Sequence, residues 1–424
     1  MVNLVDAMLS VIFSILIGLH LSWLTILLYP KREDSRKDFP SLSVVIPAYN
    51  EEKSIDSTIR SVLEAEYPCS VEVIVVNDGS TDKTGEILKR MAASDSRVKL
   101  GTANHAGKAN AINIGVEKSV NEIIVVLDAD SQLEKKSLME IVKPFSKDSV
   151  GGVSGIVRAA YRNNPLTWFQ DFEYIQSSAW RFICNKIGGT YIFPGFAAFR
   201  RDAFLSIGGF SKDTLSEDLD IGLRLKKAGY QLRMSTAVMH TQVPETFGGL
   251  VKQRTRWGRG TAQVMKKHSD MIFNKEYGSV GLYGIPTQLY WYIHCFVYLP
   301  LFVYQLTEGY FRYFINKNVW FSFDVAKYFF GWFSVYGMID YSYKTFSGMY
   351  EITTLFILLL VMFISYLVYN LFLVSKFASL RHPRFLFVIF FFFPYSLFTL
   401  LLHALPAIRE INNPASGNIW EKSQ

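Results

Sequence analysis

Asp128-Ala129-Asp130 closes a short apolar run, Ile123 to Leu127, in a chain of 424 residues. A run of this kind reads as a buried strand. Side chains two apart on a strand share a face, so both carboxylates are expected to aim one way at its carboxyl end. In open α/β sheets, ligands sit at that end. Paired hard oxygens there suit a divalent cation that in turn holds a phosphate. An isolated Asp-x-Asp is more often a solvated loop or a helix cap, so the reading depends on what accompanies it.

Four other segments have the residue types such a site needs. Pro47-Ala48-Tyr49-Asn50-Glu51-Glu52 follows an apolar run. Its proline stops a ladder, its tyrosine can stack on a base, and Glu51 can accept from a base N–H or a ribose hydroxyl. Asn77-Asp78-Gly79-Ser80-Thr81-Asp82 follows a second run. Ser80, Thr81 and Asp82 read as an Asx turn and helix cap, whereas Asp78 repeats the placement of Asp128. Gly107-Lys108-Ala109 opens a helical pattern whose amino end, with Lys108, can face a diphosphate. Ser216-Glu217-Asp218-Leu219-Asp220 also opens a helix. Acidic residues there complement the helix dipole, and Asp218 can instead serve as a general base.

Gln253-Arg254-Thr255-Arg256-Trp257 lies in a basic, aromatic stretch, Pro244 to Lys267, that reads as a helix on a membrane surface. Arg254 and Arg259 are assigned there to lipid attraction. Lipid attraction and interfacial anchoring also account for Arg256 and Trp257, but Arg256 can instead clamp a pyrophosphate in bidentate fashion and Trp257 can stack on a sugar ring. His240 has no partner at metal-ligand spacing and reads as structural.

These segments need a frame. Strands are expected at Leu42 to Ile46, Val71 to Val76 and Ile123 to Leu127. Helices are expected at Asp56 to Ala65, Lys83 to Met91 and Ala109 to Lys118. Alternation of this kind implies an α/β domain with a largely parallel sheet and helices on both faces. Hydrophobic residues make up 50% of the chain and are concentrated outside 34–267, which separates a polar domain from apolar flanks. The net charge of +7 comes without nucleic-acid motifs, so membrane and phosphate are the better partners and nucleic acid is excluded. Cys69, Cys184 and Cys295 are far apart and odd in number, as suits a reducing compartment.

The stretch from Met8 to Tyr29 has the length to cross a bilayer. Lys31, Arg32, Arg36 and Lys37 follow it, which places the amino terminus outside and the next domain in the cytoplasm of a multi-pass cell-membrane protein. Further spans are expected at Gly281 to Leu306, Ile352 to Val374 and Phe385 to Leu405. Trp320 to Met338, with Asp324 and Lys327, is either a span or an interfacial segment. The basic loop Lys376, Arg381 and Arg384 favours the interfacial version. The expected division is 1–33 (first span), 34–243 (catalytic domain), 244–280 (interface helices), 281–406 (membrane region) and 407–424 (tail).

Taken in order, Asp78, Asp128-Ala129-Asp130, Ser216-Glu217-Asp218 and Gln253-x-x-Arg256-Trp257 resemble the motifs of the inverting family 2 glycosyltransferases. Within that family, one leading span and a trailing cluster are most similar to poly-N-acetylglucosamine synthases. Hyaluronan, chitin and cellulose synthases are more distant. The resemblance implies a GT-A fold, Rossmann-like with a mixed, mostly parallel sheet, joined to interface and transmembrane helices. It implies a UDP-sugar donor, UDP-N-acetylglucosamine among the candidates, and Mg²⁺ or Mn²⁺ as cofactor. Pro47, Tyr49, Glu51 and Asp78 would contact the nucleotide. Asp128 and Asp130 would hold nucleotide and metal, with Asp130 the stronger ligand. Lys108 and Arg256 would steady the diphosphate, and Asp218 would be the base. Glu217, Phe193-Pro194-Gly195, Gln253 and Trp257 would line the acceptor site. Ser216 stands where relatives carry threonine. The Phe193 segment lacks the cysteine of cellulose synthases, and Trp420-Glu421-Lys422-Ser423 loosely resembles a gating tail.

The implied function is processive polymerisation with export of the glycan. The rivals are single addition to a membrane lipid and a non-catalytic sugar-nucleotide-binding or export protein. The expected partners are a UDP-sugar, a glycan or lipid acceptor and membrane lipids, with room for an accessory membrane subunit.

Overall fold

The computed structural model describes residues 4–30, 35–378 and 382–412. Lys31, Arg32, Arg381 and the tail around Trp420 lie outside these residues. In chain order the elements begin with α1 (Leu4–Leu28), β1 (Leu42–Ala48), α2 (Ile55–Leu63), β2 (Val71–Asn77), α3 (Thr84–Ser94), β3 (Val98–Thr102), α4 (Lys108–Lys118) and β4 (Ile123–Leu127). They continue with β5 (Ser131–Leu133), α5 (Ser137–Val142), β6 (Val150–Ala159), α6 (Pro165–Lys186), β7 (Phe196–Arg200), α7 (Arg201–Ser206), α8 (Glu217–Lys227), β8 (Gln231–Thr241) and α9 (Phe247–Lys267). The last are α10 (Ile285–Tyr313), α11 (Phe323–Trp332), α12 (Val335–Phe346), α13 (Thr354–Phe377) and α14 (Pro383–Asn412). Two compact units result: Lys31–Pro286 with Leu405–Gln424, and Met1–Pro30 with Thr287–Ala404.

The first unit is built on an eight-stranded sheet in the order β3-β2-β1-β4-β7-β6-β8-β5. β1 to β4 are parallel, β7 is antiparallel to both β4 and β6, β8 is parallel to β6, and β5 is antiparallel to β8. Every residue of β1 and β4 is buried, which explains their unbroken apolar runs: helices cover both faces. β1 lies between β2 and β4, so the strand order reverses there. The carboxyl ends of β1, β2 and β4 share one edge at this switch point, where α/β sheets bind ligands. This is the α/β GT-A arrangement, with the three expected strands in place and five more that the sequence reading did not delimit.

Pro47 does not end β1 as expected; the strand runs on to Ala48. Leu42 N and Ala48 O bond toward β2, so by alternation Pro47 faces β4. The β1–β4 ladder stops at Val45, and the missing proline N–H therefore costs no strand pairing.

The second unit is helical. α1 and α13 run parallel: Leu9, Ile12 and Phe13 pack with Leu355, Leu358, Leu359 and Met362, and His20 Nδ1 lies 3.0 Å from Ser365 Oγ. Among the described residues four helices are long and apolar enough to cross a membrane: Leu4–Leu28, Val280–Lys317, Thr354–Phe377 and Pro383–Asn412. The Trp320 to Met338 stretch is broken between α11, of 10 residues, and the start of α12, of 12 residues. At about 1.5 Å per residue, neither matches a hydrocarbon core of about 30 Å.

Candidate active site

The centre of the site is a cation set among carboxylates. Lys108, the first residue of α4, reaches across the carboxyl end of β4. Its Nζ lies 2.6 Å from Asp128 Oδ1 and 3.4 Å from Glu217 Oε1. Burial works against the charge on Lys108, but Asp128 and Glu217 outweigh it and hold the ammonium well above the ordinary lysine range. Asp218 lines the same cavity. Burial of its carboxyl, then the neighbouring Glu217, pushes its pKa up to about 6, against the pull of Lys108 and Arg256. Of the sequence-selected residues, Lys108 thus interacts with Asp128, Glu217 and Asp218, and Arg256 acts on Asp218.

Phe193 and Gly195, just before β7, line one wall of this cavity. Phe193 is buried and its N–H donates to the Asp218 carbonyl at 3.3 Å; Asp128 N–H donates to the Gly195 carbonyl at 3.1 Å. Gly195 has φ +59, and a β-carbon there would stand 2.6 Å from Met239 Cε and 3.0 Å from Asp128 Oδ2. Only glycine meets both demands.

Asp78 is placed beside this centre and is already engaged. Its Oδ1 accepts from Ala106 N–H and its Oδ2 from Gly107 N–H, both at 2.9 Å. These bonds shape the turn that delivers Lys108, so any nucleotide contact must share oxygens that hold the loop. Tyr49 stacks on His105 of the same turn, with ring centres 4.1 Å apart and planes at 22°. Sequence reasoning did not select His105; its place just ahead of Gly107-Lys108 was the available signal. Glu51 is buried, and Ser54 Oγ donates to its carboxylate at 2.6 Å. The Ser80 to Asp82 turn behaves as expected: Ser80 N–H donates to Asn77 Oδ1 and Thr84 N–H to Asp82 Oδ1, each at 3.0 Å.

Asp130 takes different partners from Asp128. Thr241 Oγ1 of β8 donates to its Oδ1 at 3.2 Å and Ser131 Oγ at 3.3 Å. β4 ends at Leu127, so strand alternation no longer governs Asp128 and Asp130. Among the described residues no group of three or more His, Cys, Asp or Glu is disposed to hold a metal ion.

Near Asp130, α9 packs on α6. Asn164 caps α6 and Pro165 starts it, a signal legible in the sequence. Arg254 is fully buried, 2.6 Å from Glu173 of α6 and stacked over Trp257 at 4.2 Å. Trp257 also stacks with Tyr174, and Gln253 is buried on the same helix as Trp257. The assignment of Arg254 to lipid is therefore corrected: its charge is used inside the protein. Arg259 is likewise paired, with Glu410 at 2.8 Å. The Trp257 ring is held by protein neighbours on Arg254 and Tyr174.

Asp220, two residues beyond Asp218, joins α8 to the end of α9. It is fully buried and lies 2.8 Å from His268 Nε2, 2.9 Å from Lys267 Nζ and 2.7 Å from Arg224 Nε. Burial would raise its carboxyl, but these donors hold it well below the usual carboxylate range. His240 pairs with Glu134 at 3.0 Å on the β5–β8 edge.

Residues 43–208 match the family described as Glycosyl transferase family 2. The chain is 33% identical over 261 residues to the probable glycosyltransferase YdaM of Bacillus subtilis, covering 58% of this chain and 60% of that protein. It is 30% identical over 233 residues to the poly-beta-1,6-N-acetyl-D-glucosamine synthase of Staphylococcus epidermidis, covering 53% and 55%. The chain thus spans little more than half the length of these curated relatives. A solved structure of similar fold is the mannosyltransferase PcManGT from Pyrobaculum calidifontis in complex with GDP-Man and Mn²⁺. Its TM-score is 0.60 at 18% identity, over 97% of this chain and 100% of that one. Residues 43–208 are thus similar to family 2 glycosyl transferases, and the sheet they help to form has the GT-A fold.

Proposed function

We propose that the protein is a membrane-embedded inverting glycosyltransferase that polymerises sugar from a UDP-sugar and passes the glycan across the membrane. The observation that carries this reading is the Lys108–Asp128 pair set beside the desolvated Asp218 carboxyl in one cavity at the sheet's carboxyl edge.

Breaking the donor's anomeric C–O bond leaves negative charge on the diphosphate and positive character on the sugar. Lys108 and Arg256 are the cations assigned to stabilise the diphosphate. Asp218 accepts the acceptor hydroxyl's proton as that oxygen attacks the opposite face, and a single displacement inverts the anomeric centre. A pKa of about 6 suits this task, since the carboxylate is ionised at neutral pH yet basic enough to take a proton. Tyr49, with His105 against its ring, Glu51 and Asp78 lie along the edge assigned to the nucleotide. Glu217, Phe193-Pro194-Gly195, Gln253 and Trp257 are assigned to the acceptor side.

A divalent ion fits this donor set as one carried on the diphosphate. Asp130 and Asp128 supply two hard carboxylates, and Mg²⁺ commonly takes one or two of these plus phosphate oxygens. Such an ion, Mg²⁺ or Mn²⁺, would add to the neutralisation of the leaving group.

The test is a screen of UDP-sugars, with GDP-mannose as a further donor, using purified full-length protein and each metal. Product sizing and linkage analysis would follow. Polymer from a UDP-sugar supports the reading, whereas one sugar on a lipid replaces polymerisation with single addition. Binding without transfer from any donor refutes catalysis.

A further inference from the structure

We propose that Glu410, near the end of α14, is a positioning residue for the Asp218 carboxylate, acting through Gln263 of α9 and the backbone of Leu215. The proposal rests on the reading of Asp218 as the base.

The chain of contacts is short. Leu215 N–H donates to Gln263 Oε1 at 2.9 Å. With its oxygen engaged there, the Gln263 amide turns its Nε2 the other way, where it donates to Glu410 Oε1 at 2.8 Å. The second carboxylate oxygen, Oε2, accepts from Arg259 Nε at 2.8 Å. Arg259 and Gln263 are four apart and share one face of α9. Between them lies Gly260, where a β-carbon would run into Ser216 Oγ, so this helix turn rests directly on the segment in front of Glu217-Asp218.

Leu215 and Ser216, the two residues in front of the acidic pair, therefore rest on α9, and two side chains of that α9 turn bond the Glu410 carboxylate. Glu410 is only 6% exposed. A buried carboxylate bound by a guanidinium and an amide is held more firmly than a neutral pair would be. Its removal leaves Arg259 without this partner and frees the Gln263 amide to rotate away from Leu215. A base works only when held close to its line of attack, and a displacement of about 1 Å costs on the order of 100-fold in rate.

The experiment uses the purified full chain in detergent. Steady-state kinetics is read beside hydrogen exchange of the Leu215 amide. Glu410→Ala is expected to speed exchange at Leu215 and to lower kcat by roughly 10- to 100-fold, with donor KM within about twofold. Gln263→Glu sets two carboxylates against each other and should lose as much. Combining Gln263→Glu with Glu410→Gln exchanges amide and carboxylate. It keeps an acceptor for Leu215 N–H and restores the donor–acceptor pair, so kcat should return to within about threefold of wild type. A merely structural loss would not be repaired by this exchange. Glu410→Ala with unchanged kcat, faster exchange without slower turnover, or a double variant no better than Gln263→Glu each overturn the proposal. A wild type that transfers no sugar from any donor overturns the reading of Asp218 as base, and this inference with it. An active wild type matched by an equally active Glu410→Ala overturns this inference alone.

Discussion

Lys108 Nζ lies 2.6 Å from Asp128 Oδ1, so one carboxylate of the Asp-Ala-Asp turn carries its own counter-charge within the protein. The same ammonium faces Glu217 at 3.4 Å, where it tempers the acidic pair that opens α8. Lys108→Ala would remove the cation proposed to meet the diphosphate and leave Asp128 and Glu217 without it. Donor kcat/KM is expected to fall by roughly 10²- to 10³-fold, with both kcat and KM affected. Steady-state kinetics with the accepted UDP-sugar checks this, and an unchanged kcat/KM would remove Lys108 from the donor site.

Asp218 predicts a pH profile. With its carboxyl raised to about 6, kcat should climb as pH rises through about 6 and level off above it. Stability should move the other way. In the unfolded chain the group titrates near 3.9, so between about 4 and 6 the folded state binds more protons and loses stability as pH rises. Asp218→Asn removes that ionisation. Its melting temperature relative to wild type should be higher at pH 8 than at pH 4, as differential scanning fluorimetry in detergent would report. The same shift at both pH values would contradict the raised carboxyl.

Gly195 combines a left-handed backbone with a missing β-carbon beside Asp128 and Met239. Gly195→Ala is expected to lower transfer by at least about tenfold while the protein still folds, because strain at one such position costs on the order of 1–3 kcal/mol. Activity assays paired with circular dichroism separate the two effects. Full activity would show that the wall tolerates displacement.

Much of the donor edge was legible because it depends on local pattern. Apolar runs fixed β1, β2 and β4, and the polar residues just past them could only lie at the sheet's carboxyl edge. Lys108 was legible for the same reason, as the residue that opens a helix. What stayed hidden depends on contacts across the chain. Arg254 looks like a lipid-facing cation until α6 supplies Glu173, 81 positions away. Asp220 looks like dipole compensation until His268 and Lys267 close on it. The bond from Thr241 on β8 to Asp130 joins residues 111 positions apart, and no spacing rule contains it.

Asp220 gives a prediction about stability. Its pKa is depressed in the folded state, so its contribution is present above the unfolded value near 3.9 and is lost as pH falls through the folded pKa. Asp220→Asn leaves Lys267 and Arg224 facing a neutral amide in a buried position, at a cost of about 3 kcal/mol at neutral pH. Denaturant or thermal unfolding of the purified protein at pH 7 checks this. A variant as stable as wild type would mean that the junction of α8 and α9 does not depend on this ion cluster.

The most direct measurement compares wild type and Asp218→Asn, in the same detergent and with the same metal, for sugar transfer and for binding of UDP. Loss of transfer by about 10²- to 10⁴-fold with UDP affinity preserved is the result expected of a general base. Retained turnover in the variant would contradict the assignment, and with it the mechanism built on the Lys108, Asp128 and Asp218 cavity.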